Sequence, residues 1–159
     1  MVENLKIAEK NLIEKQKTDH EIAIAQRIQN ALFPKVLPKY PEIEIATFYD
    51  FAKEVGGDYY DVIPLNNSLA LIVADVSGKG IPAALIMAMF RSTLRTEIKI
   101  DANPVTLAKR LNSVIIQDIE PGQFITFLYG LLERNNMRLS FVNAGHLPLI
   151  RLRWGETSS

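Results

Sequence analysis

LALIVADVSGKG, residues 69–80, sets the architecture of this chain. As a strand its first six residues are apolar on both faces, with Leu69, Leu71 and Val73 on one and Ala70, Ile72 and Ala74 on the other. A strand apolar on both sides lies between two layers, so it is central. It delivers Asp75 into the turn Val76-Ser77-Gly78-Lys79-Gly80, and Pro82 suits the first turn of a helix reaching about Ile98. Upstream, residues 58–65 read as a second strand that turns through Asn66-Asn67. Residues 43–49 alternate Ile43, Ile45, Thr47 and Tyr49 with Glu42, Glu44, Ala46 and Phe48, the period-2 pattern of a half-buried strand. Three strands joined by short turns make an antiparallel meander.

Downstream, Asn103 and Pro104 read as cap and first position of another helix, with Leu107, Leu111, Val114 and Ile115 as its buried stripe. Pro121-Gly122 ends it. Strands return at 124–133 and 138–143, joined through Asn135-Asn136, and at 149–154. Before the meander, residues 2–33 hold no Gly or Pro and read as one helix of about nine turns, stopped by Pro34 and Pro38. Its stripes are short: Leu5, Ala8 and Leu12, then Ile24, Ile28 and Leu32, with a wholly polar stretch at 15–21 between them. A sustained coiled-coil seam is not supported. The first stripe calls for a partner, either the same helix of a second copy or an upstream domain. The order αβββααβββ, with helices grouped, predicts an α+β fold on an antiparallel sheet. Residues 1–33 are expected as a linker or dimerisation helix and 34–159 as the folded domain.

Composition narrows the function. The chain has 159 residues, with 18 basic and 18 acidic side chains and no cysteine. Balanced charge argues against a nucleic-acid binder driven by counterion release. Without cysteine there is no disulfide framework or thiolate zinc site. The longest apolar run, residues 81–90, is half of what a bilayer span needs, and the charged start is not a secretory signal. A soluble cytoplasmic domain is expected.

Two places stand out chemically. Gly56-Gly57-Asp58-Tyr59-Tyr60-Asp61 enters a strand behind two glycines, and Asp75 closes an apolar one. Each alone also fits a turn or a helix cap. On neighbouring strands, however, Asp58 and Asp75 can stand side by side, where like charges raise one pKa unless a cation neutralises them. Carboxylates and backbone carbonyls suit hard divalent cations such as magnesium and manganese. Strand parity points Asp58 and Tyr60 one way and Tyr59 and Asp61 the other, so Asp58 is favoured as a ligand and Asp61 left in support or at the surface.

Other motifs fall away. Gly78-Lys79 does not make a P-loop, with Val73 and Gly80 at positions that need Gly and Ser or Thr. Ser77 lacks the flanking glycines of a nucleophile elbow. Asn143-Ala144-Gly145-His146 reads as a tight turn capped by a polar side chain. Arg91 and Arg95, one helical turn apart, fit either a phosphate contact or, more readily, a solvated helix face.

In order along the chain, AQRIQ at 25–29 with Leu32-Phe33-Pro34, GGDYYD at 56–61, ADVSGKGIPAAL at 74–85, TFLYG at 126–130 and NAGHLP at 143–148 resemble the bacterial PPM-type serine/threonine phosphatases, in their RsbU/SpoIIE-like branch. The resemblance implies an antiparallel β-sandwich flanked by helices, with a two-metal manganese or magnesium centre at one end. It implies Asp58 and bridging Asp75 as ligands with the Val76 carbonyl, and Gly57, Asp61, Gly78, Gly80 and His146 around them. It further implies in-line attack of a metal-activated water on phosphoserine or phosphothreonine of a partner-switching regulator, an anti-sigma-factor antagonist. The helix before Pro34 matches the family's linker to a sensor domain.

Family members continue past the NAGH-like turn into more strands, with an Asp-Gly motif and a later Asp. After Asp75 the only aspartates here are Asp101 and Asp118, neither followed by Gly. The expectation is therefore an incomplete metal site and an exposed sheet edge. The alternative is a non-catalytic dimerisation or interaction module in signalling.

Overall fold

The computed structural model describes residues 2–50 and 55–153. In chain order the elements are α1 (Val2–Leu32), β1 (Tyr59–Leu65), β2 (Ser68–Val76), α2 (Ile81–Ile100), α3 (Pro104–Ile115), β3 (Ile125–Glu133) and β4 (Arg138–Ala144). The four strands form one antiparallel sheet in the order β1-β2-β3-β4. β2 is interior, as its two apolar faces require. α2 and α3 cover one face. Ala70, Ile72, Ala74 and Val76 of β2 there meet Phe127 and Tyr129 of β3, together with Met87, Phe90 and Leu94 of α2 and Leu107 and Leu111 of α3.

Local signals explain the helix boundaries. Asn103 accepts hydrogen bonds from Val105 N and Thr106 N at 3.1 and 3.2 Å, and Pro104 needs no donor partner. α2 begins after Gly80, whose φ of 72° belongs to glycine, and carries Pro82 in its first turn. The stripe expected on α3 is narrower than read, since Val114 faces solvent while Leu107, Leu111 and Ile115 are buried.

Two expected strands are absent. Residues 43–49 make only an isolated bridge, Tyr40 with Ile43, although Ile43, Ile45 and Tyr49 are half-buried as the alternation predicts. The segment lies over the outer face of the sheet, where the Thr47 hydroxyl donates to the Tyr60 hydroxyl at 3.5 Å, and pairs with no strand. Residues 149–153 are likewise unpaired and exposed, and Trp154 at the end of that expected strand lies outside the described residues. The α+β antiparallel class holds, while a second sheet facing the first is not present among the described residues. On this partly covered outer face Val62 and Leu69 are buried, whereas Val73 and Phe141 are about half exposed.

α1 is joined to the domain by its last two turns. Residues 3–21, including Leu5 and Leu12, are exposed. The second stripe is displaced from the one expected: Ile28 is 62% exposed, and Gln29 and Phe33 are buried instead. The Gln29 carboxamide forms two hydrogen bonds with one residue, donating from Nε2 to Gly56 O at 2.6 Å and accepting from Gly56 N at Oε1 at 3.1 Å. Phe33 packs on the rings of Tyr49, Tyr59 and Tyr60. Arg91 Nε donates to Leu32 O at 2.7 Å, closing a free carbonyl at the helix end.

Candidate metal and phosphoryl site

Strand pairing brings the two acidic motifs together. Tyr59 is opposite Ala74, so the next position up places Asp58 beside Asp75 at the open end of β1 and β2. Asp75 is in turn opposite Thr126 of β3. The parity argument holds: Tyr59 and Asp61 point into the helix-covered core, while Asp58 and Asp75 are exposed on the other side.

Gly57 makes this adjacency possible. A Cβ there would lie 2.7 Å from the Val76 carbonyl oxygen and 2.9 Å from Val76 Cβ, closer than atoms tolerate. The two loops therefore touch through bare backbone, with the Val76 carbonyl against Gly57. Gly57→Ala should cost about 1–3 kcal/mol, because backbone cannot yield as a flexible side chain does. Urea unfolding checks this, with Gly56→Ala as the comparison, since nothing stands within 4 Å of a Cβ at Gly56.

The electrostatics disfavour two charged carboxylates side by side. Asp58 has its pKa raised, first by partial burial, then by the charge of Asp75 and a hydrogen bond with it, against a smaller lowering by His146. Tyr49, whose hydroxyl donates to Asp58 O at 3.4 Å, is pushed up to about 12 by burial and by the charges of Asp58 and Tyr60. Two oxygen anions beside a carbonyl fit a hard divalent cation. The donor set is partial: among the described residues no group of three His, Cys, Asp or Glu side chains could hold a metal ion.

The remaining motif residues divide. Gly78 and Gly80 take positive φ, 102° and 72°, and carry the chain from β2 into α2. Ser77 is engaged structurally, its N donating to Phe124 O and its Oγ accepting from Phe124 N, both at 2.9 Å. His146 lines the same open cleft of about 940 Å3 as Asp58 and Asp75. Its ring Nδ1 shares a hydrogen bond of 2.9 Å with Thr126 Oγ1, and Asn143 caps its turn as expected.

Asp61 is not a surface group. It is 1% exposed and receives Arg95 Nε at 2.8 Å and Arg95 Nη2 at 2.9 Å, together with Val62 N and the Tyr59 hydroxyl. This overturns the reading of Arg91 and Arg95 as a solvated face or a phosphate contact, since both tie α2 to other elements. Sequence reasoning missed Thr126 and Gln29. A signal existed for both, since Thr126 opens the TFLYG motif and Gln29 closes the AQRIQ motif, to which no individual role was given.

Residues 66–159 match the model of the family described as Stage II sporulation protein E (SpoIIE). The chain is 32% identical over 133 residues to phosphoserine phosphatase RsbU of Bacillus subtilis (strain 168), covering 84% of this chain and 40% of that protein. It is 29% identical over 150 residues to phosphoserine phosphatase RsbP of the same organism, covering 91% and 36%. The SiaA-PP2C domain of Pseudomonas aeruginosa shares the fold at a TM-score of 0.66 and 17% identity, over 82% of this chain and 54% of that one. The chain thus spans less than half the length of these two phosphatases.

Proposed function

Because this chain belongs to the SpoIIE family, we propose that it supplies part of the active site of a metal-dependent phosphatase acting on phosphoserine or phosphothreonine. The observation that carries the reading is the Asp58–Asp75 pair at one end of the sheet, beside the Val76 carbonyl. These groups would hold the ions, two manganese or magnesium, together with further oxygen donors. When bound, such ions lower the pKa of a water and neutralise the phosphoryl charge. Gly57, Gly78 and Gly80 set the backbone close around the pair, and Asp61 anchors β1 to α2 from below. The substrate class is a phosphorylated partner-switching regulator, such as an anti-sigma-factor antagonist. Residues 1–33 serve as a linker to a sensor domain or a second copy, and 34–159 as part of the phosphatase domain. No helix among the described residues is long and apolar enough to cross a membrane.

Manganese should raise the melting temperature of the full-length protein. At a hundredfold excess over its dissociation constant the stabilisation is about 2.7 kcal/mol. The same protein should release phosphate from a phosphoserine peptide. Stabilisation that survives intact in Asp75→Ala would refute the site. A second reading, a non-catalytic interaction module, draws on the exposed Leu5 and Leu12 of α1 and on the partial donor set. It predicts association without phosphate release, which light scattering and a phosphate assay separate.

A further inference from the structure

Four hydrogen bonds converge on the turn after β4. His146 N donates to Asn143 Oδ1 at 2.8 Å, and Asn143 Nδ2 donates back to the carbonyls of His146 and Leu147 at 3.0 and 3.3 Å. The fourth joins the ring, Nδ1 to Thr126 Oγ1 at 2.9 Å. Thr126 is itself fixed by its strand register opposite Asp75, and its hydroxyl lies 3.4 Å from Asp75 O and 2.9 Å from the ring Nδ1; donation across the shorter contact, to Nδ1, leaves the ring proton on Nε2. The turn is pinned again by the bridge between Phe127 and Gly145, which adopts a φ of 72°.

Gly145 and Ala144 tie the turn to the core through Phe127, but the His146 ring is only half-buried and faces the cleft. Among the described residues its second ring nitrogen, Nε2, makes no hydrogen bond. The lining of the cleft supplies the reason to hold it so firmly. Among the described residues Asp58, Asp61, Asp75 and Glu44 line that cleft, no Lys or Arg does, and His146 is its sole basic side chain. A phosphomonoester is rich in acceptors and needs donors from the protein as well as charge neutralisation. Fixing a donor in advance spares the ordering cost when the ligand arrives.

We infer that Nε2 of His146 contacts the phosphoryl group of the substrate and holds it over the Asp58–Asp75 pair, with Thr126 and Asn143 as positioning residues. The inference rests on the phosphatase reading. It assigns to His146 a contact with the substrate, where Asp58 and Asp75 contact the ions.

Two substitutions separate a ligand contact from a structural role. His146→Gln keeps a donor near the position of Nε2, whereas His146→Asn keeps only the side that meets Thr126. In the full-length magnesium-loaded protein, His146→Asn should raise the inhibition constant for inorganic phosphate about tenfold, and His146→Gln should stay within about threefold of wild type. The reverse order overturns the inference. Independently of activity, inorganic phosphate should shift the ring-proton resonance of His146 in the wild-type protein, a readout that requires no variant to fold. Hydrolysis without that shift overturns the contact and leaves the phosphatase reading standing. A shift without hydrolysis keeps the phosphate contact and overturns the reading of activity.

Discussion

Arg95→Ala should destabilise the protein by about 3 kcal/mol, at the lower end of what breaking a buried ion pair costs, because the Arg95 side chain is 39% exposed. The loss comes less from the missing attraction than from what is left behind. Asp61 sits on the core side of β1 at 1% exposure, and without the guanidinium its carboxylate keeps only the Tyr59 hydroxyl and Val62 N as donors. Arg95→Lys should fall between, since an ammonium cannot form the two parallel bonds that Nε and Nη2 make. Denaturant midpoints at constant m-value measure the series. A loss below about 1 kcal/mol would place the pair with ordinary solvated salt bridges.

Asp75→Asn should act in opposite directions on activity and on stability. In the full-length protein, removing a carboxylate proposed to anchor the ions should lower phosphopeptide turnover by roughly 10³-fold, taking the charge stabilisation lost as several kcal/mol. Without metal, the same change relieves repulsion at Asp58. The raised pKa of Asp58 means that the folded chain keeps its proton to higher pH than the unfolded chain does. The contribution of Asp58 to the stability of the metal-free protein therefore falls as pH rises from the ordinary Asp value through the folded one, and that contribution is greatest below this window. Asp75→Asn should flatten this fall, and melting temperatures in chelator across pH 3–7 read it out directly. An unchanged profile would show that the two carboxylates do not interact.

How much could be read in advance depended on the range of the interactions involved. The strand-turn-helix at 69–82 was legible because its signals are local: two apolar faces, two glycines, then Pro82. Facing was legible by parity, which separated Asp58 from Asp61 correctly. What Asp61 meets was not, because Arg95 is 34 residues away and only the packing of α2 on β1 brings it there. The alternation at 43–49 correctly marked Ile43, Ile45 and Tyr49 as half-buried but not Thr47, which is exposed, and pairing also needs a neighbouring strand, about which periodicity carries no information. On α1 a search for apolar stripes chose Ile28 over Gln29, since it counts every amide as solvent-facing. The candidate metal residues Asp58 and Asp75 stand in motifs that are weak singly and specific only in order, and pairing of β1 with β2 supplies the physical proximity those motifs lacked.

The Gln29–Gly56 contact restricts which side chains can stand at position 29. A carboxamide of this length offers one donor and one acceptor, spaced to meet the N–H and C=O of a single residue. Glutamate, ionised, could satisfy only the N–H and lysine only the C=O, while asparagine is one methylene short and leucine leaves both unpaired. Of the twenty side chains, one completes the match, so a single letter in a helix of 31 residues records where the loop before Asp58 must lie.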